Sequence, residues 1–200
     1  MSIKSIKESV GNIDIYLFDQ LLKERYKSTD KILDAGCGNG RNLYWFYQNK
    51  FNIYGIDKDP RSIAYLSTLY PNSKGNFTIS ELNNIPFEDH FFDHIISNAV
   101  LHFANNTNHF EVMFGELMRV LRVNGSLFIR MTSNIGIESK INEISDGVYH
   151  IPDGSRRFLI TKELIDQLMK KHHLSFLEPL KTVNVNDIRC MTTLVLKKVK

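Results

Sequence analysis

Residues 34–42 read Asp-Ala-Gly-Cys-Gly-Asn-Gly-Arg-Asn (DAGCGNGRN), three alternating glycines with an acid at the mouth of the run. Glycine at this density serves a backbone that a ligand must approach closely. The flanks of the loop decide the fold. Residues 31–34 (KILD) are a short apolar run ending in an acid, brief enough for a buried parallel strand, and 41–49 (RNLYWFYQN) read as a helix. Strand, glycine loop and helix in that order place a nucleotide-type ligand at a switch point of a parallel sheet.

Outward from the loop the alternation continues. Residues 51–57 (FNIYGID) predict a second strand that again ends in an acid, and Pro60 suits the first turn of a helix over 60–70. Residues 76–80 and 93–98 predict the third and fourth strands. A helix over 110–122 turns Met113, Leu117, Val120 and Leu121 inward, Asn124-Gly125 is a turn, and 126–131 is the fifth strand. This rhythm is that of a doubly wound α/β domain. Upstream, 14–26 reads as a helix capped by Asp14, with Ile15, Phe18, Leu21, Leu22 and Tyr26 on one face. Downstream, 135–158 carries Gly136, Gly147, Pro152 and Gly154 without a long apolar period and reads as mostly irregular chain over the sheet. Thr161 caps a last helix with Leu164, Ile165 and Leu168 inward. Residues 174–185 and 191–199 are two late strands in hairpin order, which adds an antiparallel strand. The expected organisation is one domain: an N-terminal helical cap (1–29), a ligand-binding core (30–131), a substrate-side cover (132–160) and the last helix and strands (161–200).

At 200 residues the chain is long enough for a substantial single core. A net charge of +3 with dispersed lysines demands neither nucleic acid nor an anionic membrane. Cys37 and Cys190 form no CxxC pair, which argues against a disulfide framework or a zinc site and for a reducing cytoplasm. No signal-peptide h-region and no membrane-length apolar run is seen.

Charge chooses among ligands. The dinucleotide fingerprint GxGxxG is broken, because the third glycine comes one place early and Arg41 stands where glycine is wanted; no GK[ST] follows either. A pyrophosphate would be repelled by Asp34. A ligand with an ammonium and a sulfonium would be attracted, which points to S-adenosylmethionine (SAM). Asp57, 21 residues after Gly36, stands where an acid accepts both ribose hydroxyls; NAD needs that acid too, so Asp57 does not discriminate by itself.

The segments DAGCGNGRN, GIDKDPRSIA, ELNNIPF, FDHIISNAVLHF and ELMRVLRVNGSLFI together resemble the successive motifs of class I SAM-dependent methyltransferases. Within that superfamily GCGNGRN, the DK-x-x-x-SIA run at 57–64, LNN at 82–84 and the tail are most similar to the tellurite-resistance methyltransferases, which act on small molecules. The resemblance implies a Rossmann-like seven-stranded sheet of order 3-2-1-4-5-7-6 with strand 7 antiparallel, SAM as cofactor and S-adenosylhomocysteine as product. It implies Gly36, Cys37 and Gly38 along the methionine part, Asp34 near its ammonium and Arg41 near its carboxylate or the substrate. It also implies Asp57 on ribose, Lys58, Glu81 and Leu82 around adenine, and Asn98 with Ala99 at the methyl-transfer site. Two departures stand out: Glu81 replaces the family's usual Asp, and 181–187 (KTVNVND) lacks its usual His-Arg pair.

The residues facing the acceptor follow from topology, since ligands gather at the carboxyl ends of parallel strands. His102 follows strand four, Arg130 ends strand five, and Arg189 begins the antiparallel last strand, so the three are expected to converge as catalytic candidates. His102 reads as a base or substrate holder, or equally as a capping or core histidine; Arg130 and Arg189 as anion binders, or as structural partners of a carboxylate such as Glu138. Tyr16 could cover the pocket, though a core aromatic fits its spacing better; Arg156 and Arg157 sit where a lid or a solvated turn would be, and the aromatics at 44–47 read as packing. The expected function is methyl transfer to a small-molecule acceptor by a monomer or homodimer, with no metal and no membrane partner. The competing readings are a non-catalytic SAM-binding module, a nicotinamide-dependent oxidoreductase and a nucleic-acid methyltransferase. The last would need a basic, aromatic-studded face and an Asn/Asp-Pro-Pro motif, where SNAVLHF stands instead.

Overall fold

The computed structural model describes residues 3–200. Five strands run parallel in the order β3-β2-β1-β4-β5: β1 (Lys31–Ala35), β2 (Asn52–Asp57), β3 (Phe77–Ile79), β4 (Phe92–Asn98) and β5 (Leu121–Ser133). All seven residues of β4 are buried, as expected of a central strand covered on both faces. Helices α1 (Ile3–Val10), α2 (Ile15–Leu22), α3 (Tyr44–Gln48), α4 (Pro60–Leu69), α5 (Thr107–Val120) and α6 (Lys162–Lys171) complete the layers. Successive strand residues point to opposite faces. Leu127, Ile129 and Met131 therefore pack with Phe110, Met113 and Leu117 of α5 and Ile165 and Leu168 of α6. Ile32, Ile96 and Phe128 pack on the other face with Leu17 of α2, Phe46 of α3, and Ile63 and Leu66 of α4. Pro60 opens α4 behind an Asp59 cap, Asp14 caps α2, and Thr161 caps α6, each side chain accepting a backbone N–H.

Several expectations need correction. On α2, Ile15 and Leu22 are exposed, at 71% and 68%, while Leu17 and Gln20 are fully buried. The polar Gln20 takes a core-facing place because Tyr16 O, Asp19, Arg25 and Glu178 satisfy its amide. The helix expected over 41–49 is confined to α3, where the aromatics pack on Phe51 and one another. Asn124-Gly125 does not end an element. It loops out within β5, between the Phe92–Leu121 and His94–Ser126 pairs. Asn124 takes φ 66, and a Cβ on Gly125 would lie 2.7 Å from Asp93 O.

The cover is not irregular. β6 (Asn142–Ser145), β7 (Val148–His150) and β8 (Arg156–Phe158) make a small antiparallel sheet, folded on the core by Phe158 against Phe110. Its strands are too short for periodicity to reveal. The run 174–185 divides into β9 (Leu174–Phe176) and β10 (Lys181–Val185), which pair successive stretches of the antiparallel β11 (Arg189–Lys198). The order β3-β2-β1-β4-β5-β11-β10 keeps the expected path, with the sixth strand broken in two. No helix among the described residues is long and apolar enough to cross a membrane.

Candidate active site

The loop after β1 is folded by three glycines with positive φ and three different neighbours. A Cβ on Gly36 would lie 2.4 Å from Val100 Cγ2, so the loop can press on the turn after β4 only without a side chain. A Cβ on Gly40 would meet Leu66 of α4 at 2.3 Å. A Cβ on Gly38 would meet nothing within 4 Å, because this glycine faces open space. Asp57 at the end of β2 ties the loop down: its Oδ2 accepts from Gly38 N at 2.8 Å and its Oδ1 from Asp59 N at 2.9 Å. A carboxylate offers about four lone-pair sites, so acceptor capacity remains. The Cys37 side chain does not face the loop's open side. It is buried against Gly55, and only its backbone belongs to the site.

Beside the loop, three strand ends place polar side chains on one face. Asp34 lies opposite Ile96, and Asn98, two residues further along β4, lies opposite Arg130. Both oxygens of Asp34, both amide atoms of Asn98 and Nε of Arg130 are buried without a hydrogen-bond partner among the described residues. Such orphaned groups are rare in native cores, and five in one place mark a site built for a polar ligand. Burial pushes the Asp34 carboxyl up to about 7, with Arg41 pulling it down and Asp57 adding to the rise. Above this face lies the start of α2. Asp14 Oδ2 accepts from Arg130 at 3.2 Å and lies 3.9 Å from Arg41, while Asp14 Oδ1 accepts from Tyr16 N. Arg41 also donates to Asn12 O at 3.4 Å, and Arg130 lies 5.2 Å from the Tyr16 ring centroid.

A cleft of about 420 Å³ opens along the ends of β1 to β4. Of the residues expected around a cofactor, Gly36, Asp57, Lys58, Glu81 and Leu82 line it, together with Ala99. Ala99 holds φ 62 and donates its N–H to Arg130 O at 2.7 Å, a left-handed corner of the kind concentrated at functional sites. The sequence reading missed Phe103, Asn105, His109 and Met113 on the same cleft. The Asn106 cap of α5 offered a signal, since it turns His109 back onto the strand ends, where Asn105 N donates to His109 Nδ1.

Of the three catalytic candidates, Arg130 does not converge with the other two as topology suggested. Arg130 is turned toward Asp14, and its register partner on β11 is Thr193, four residues from Arg189. At ~3.3 Å per residue, that is roughly 13 Å of strand. Glu138 pairs with neither arginine and accepts from Gly136 N instead. Arg189 lies 3.8 Å from Asp153. His102 is buried in the 3-10 turn Leu101–Phe103, and its Nδ1 accepts from Thr132 N at 3.4 Å. Desolvation, then the charges of Arg157 and Arg189, lower its pKa to about 4. The ring is therefore neutral at pH 7, its lone pair is spent on the backbone, and Nε2 carries the proton. This geometry makes His102 a donor and not the base considered from sequence.

Comparison with known proteins agrees with the fold. Residues 33–129 match the family model described as a methyltransferase domain. An uncharacterized methyltransferase, YodH of Bacillus subtilis, is 29% identical over 126 residues, 62% of this chain and 49% of that one, so the chain spans about half the length of this relative. Among solved structures, a SAM-dependent methyltransferase of Methanosarcina mazei superposes with TM-score 0.72 at 16% identity, covering 90% of this chain and 97% of that one. The 1,6-didemethyltoxoflavin-N1-methyltransferase of Burkholderia thailandensis, with bound 1,6-didemethyltoxoflavin and S-adenosylhomocysteine, superposes with TM-score 0.70 at 15% identity, covering 98% and 82%.

Proposed function

We infer that this chain, whose residues 33–129 match the methyltransferase domain family, is an enzyme that transfers a methyl group from SAM to a small-molecule acceptor. One observation carries the reading. Asp34 is a buried carboxylate with no hydrogen-bond partner among the described residues, two residues before Gly36, which lines the cleft, and a cationic ligand supplies what it lacks. The orphaned amide of Asn98 and the Arg130 Nε offer further partners for a zwitterionic head.

The residues fit SAM. Asp34 holds the ammonium, the Gly36–Gly38 backbone lies along the methionine part, and Arg41 or Arg130 meets the carboxylate. Asp57 uses its remaining lone pairs on ribose, and Glu81, Leu82 and Lys58 border the adenine. Bound SAM supplies an electrophilic methyl on a sulfonium, a good leaving group. The chain then contributes positioning and electrostatics, which supply most of the acceleration in such a displacement. With its Nδ1 lone pair on Thr132 N, His102 does not take the acceptor's proton, which suits an acceptor that arrives as an anion. The likeness of loop and tail to the tellurite-resistance methyltransferases supports a small acceptor; the family's His-Arg pair is missing, so a chalcogen oxyanion is not the acceptor proposed.

Calorimetric titration with SAM, S-adenosylhomocysteine and NAD tests the cofactor. Micromolar binding of the two adenosyl ligands and none of NAD is expected; NAD binding, or no adenosyl binding, overturns the reading. Asp57→Ala is expected to weaken S-adenosylhomocysteine by about 1–3 kcal/mol through unpaired ribose hydroxyls. Asp57 also fastens Gly38, so the 2′-deoxyribose analogue is measured alongside. Asp57→Ala should cost the analogue less than the parent ligand, and equal losses would remove the ribose assignment.

A further inference from the structure

Past the cofactor cleft, toward the cover sheet, donor side chains lie against Phe103. Arg157 on β8 stacks its guanidinium 5.0 Å from the centroid of Phe103, whose ring lines the cleft. Its one hydrogen bond is to the neighbouring carbonyl of Arg156, and among the described residues it has no carboxylate in ion-pair range. The His102 ring lies 4.5 Å from that of Phe103. Its Nε2–H has no hydrogen-bond partner among the described residues, because Thr132 takes the other nitrogen. The tip of the cover docks on the start of β11, where Asp153 N donates to Ile188 O at 3.1 Å, and this brings Arg189 to the same edge. Asp153 is the carboxylate nearest Arg189, at 3.8 Å. Its Oδ2 faces Arg189, while its Oδ1 accepts both the N–H and the hydroxyl of Ser155 at 2.9 and 2.6 Å.

Two guanidinium groups and an imidazole N–H beside an exposed aromatic ring form a complementary seat for an anion with an apolar body. We propose that the methyl acceptor carries an anionic group, a carboxylate or a phosphate, held by Arg157, Arg189 and the His102 Nε2–H, with its apolar part on Phe103. The proposal rests on the methyltransferase reading and narrows its substrate class. A cationic acceptor is disfavoured twice, by the arginines and by the sulfonium it would have to meet. Charge-assisted contacts to arginine are the stronger kind of hydrogen bond and fix orientation as well as affinity.

The test uses the full chain saturated with S-adenosylhomocysteine, whose affinity is measured first in every sample. Benzoate, phenyl phosphate and the neutral isostere benzamide are then titrated into the wild type, Arg157→Gln, Arg189→Gln and the double variant, each checked for folding by thermal melting. At least one anion is expected to bind about ten-fold or more tightly than benzamide. Each single variant should lose part of that preference and the double variant nearly all, with the affinity for S-adenosylhomocysteine unchanged. Whichever anion shows the larger arginine-dependent preference distinguishes carboxylate from phosphate. If S-adenosylhomocysteine binds but the anions bind no better than benzamide, or do not bind, the acceptor proposal is overturned while the cofactor reading stands. A preference that survives in the double variant overturns it equally. If S-adenosylhomocysteine does not bind the wild type, the methyltransferase reading itself falls and this proposal with it.

Discussion

Asp34→Asn is expected to make the protein more stable and less able to bind its cofactor. The carboxylate is 1% exposed and has no hydrogen-bond partner among the described residues, so ionising it inside the ligand-free protein is costly. Its folded pKa of about 7 lies above the ordinary carboxyl value of the unfolded chain. Between about pH 4 and pH 7 the folded state therefore holds a proton that the unfolded state has released. Stability falls as pH rises through this window, and above pH 7 the whole penalty is present. Asparagine removes the charge but keeps a buried amide, so part of the penalty remains. A gain of about 1–3 kcal/mol at pH 8 is expected, read as a rise in thermal midpoint that shrinks toward pH 5. The same substitution should weaken S-adenosylhomocysteine roughly ten- to hundred-fold, the range for a hydrogen bond to a charged group. In the wild type, affinity should fall towards ten-fold per pH unit below pH 7, because the ammonium must displace the Asp34 proton, whereas Asp34→Asn should be flat there. A variant that is destabilised at pH 8, or that binds the cofactor as the wild type does, would contradict the assignment. Stability given up at a binding site in this way is the usual trade between fold and function.

How far the sequence carried the structure depended on the range of the signal. Strand ends β1 and β2 were legible because each carries an acid at its last or next-to-last residue beside a turn, and Pro60, Asp14 and Thr161 were legible as local capping chemistry. The antiparallel last strand followed from the hairpin order of the tail. What failed was whatever depends on distant partners. Gln20 is buried with Glu178, 158 residues away in sequence, as one of its partners, so α2 turned a different face inward than its apolar spacing implied. Arg130 does lie on β5, though three residues before its end at Ser133, and its direction is set by Asp14, 116 residues away in sequence. His102 was correctly placed after β4, but its role turns on a lone pair, which is a matter of tautomer and neighbour and not of residue type. The cover strands of three and four residues carry no periodicity, so the Phe103–Arg157 stack at the cleft mouth was out of reach.

The glycine loop allows stability and binding to be separated by two alanine substitutions. Gly36→Ala places a Cβ 2.4 Å from Val100 Cγ2 and 2.8 Å from Cγ1, on a backbone at φ +83 that alanine resists. Steric relief requires the loop or the turn after β4 to move, so a loss of about 2–4 kcal/mol in folding stability is expected. For a chain of this size, that is roughly a 4–16 °C drop in thermal midpoint. Val100→Ala added to Gly36→Ala removes both clashing methyls and should recover part of the loss; the strain from φ stays. Gly38→Ala is a different experiment. Its φ of +49 costs about 1–2 kcal/mol, but its Cβ meets nothing within 4 Å in the protein. The added methyl enters the space assigned to the cofactor, so the main effect of Gly38→Ala should be a ten-fold or greater loss of S-adenosylhomocysteine affinity, with modest loss of midpoint. Melting curves and calorimetry on the same samples read both quantities. If Gly38→Ala binds normally, the cofactor does not pass over this loop. If Gly36→Ala melts like the wild type, the contact between the loop and Val100 is not what holds the β1 and β4 corners together.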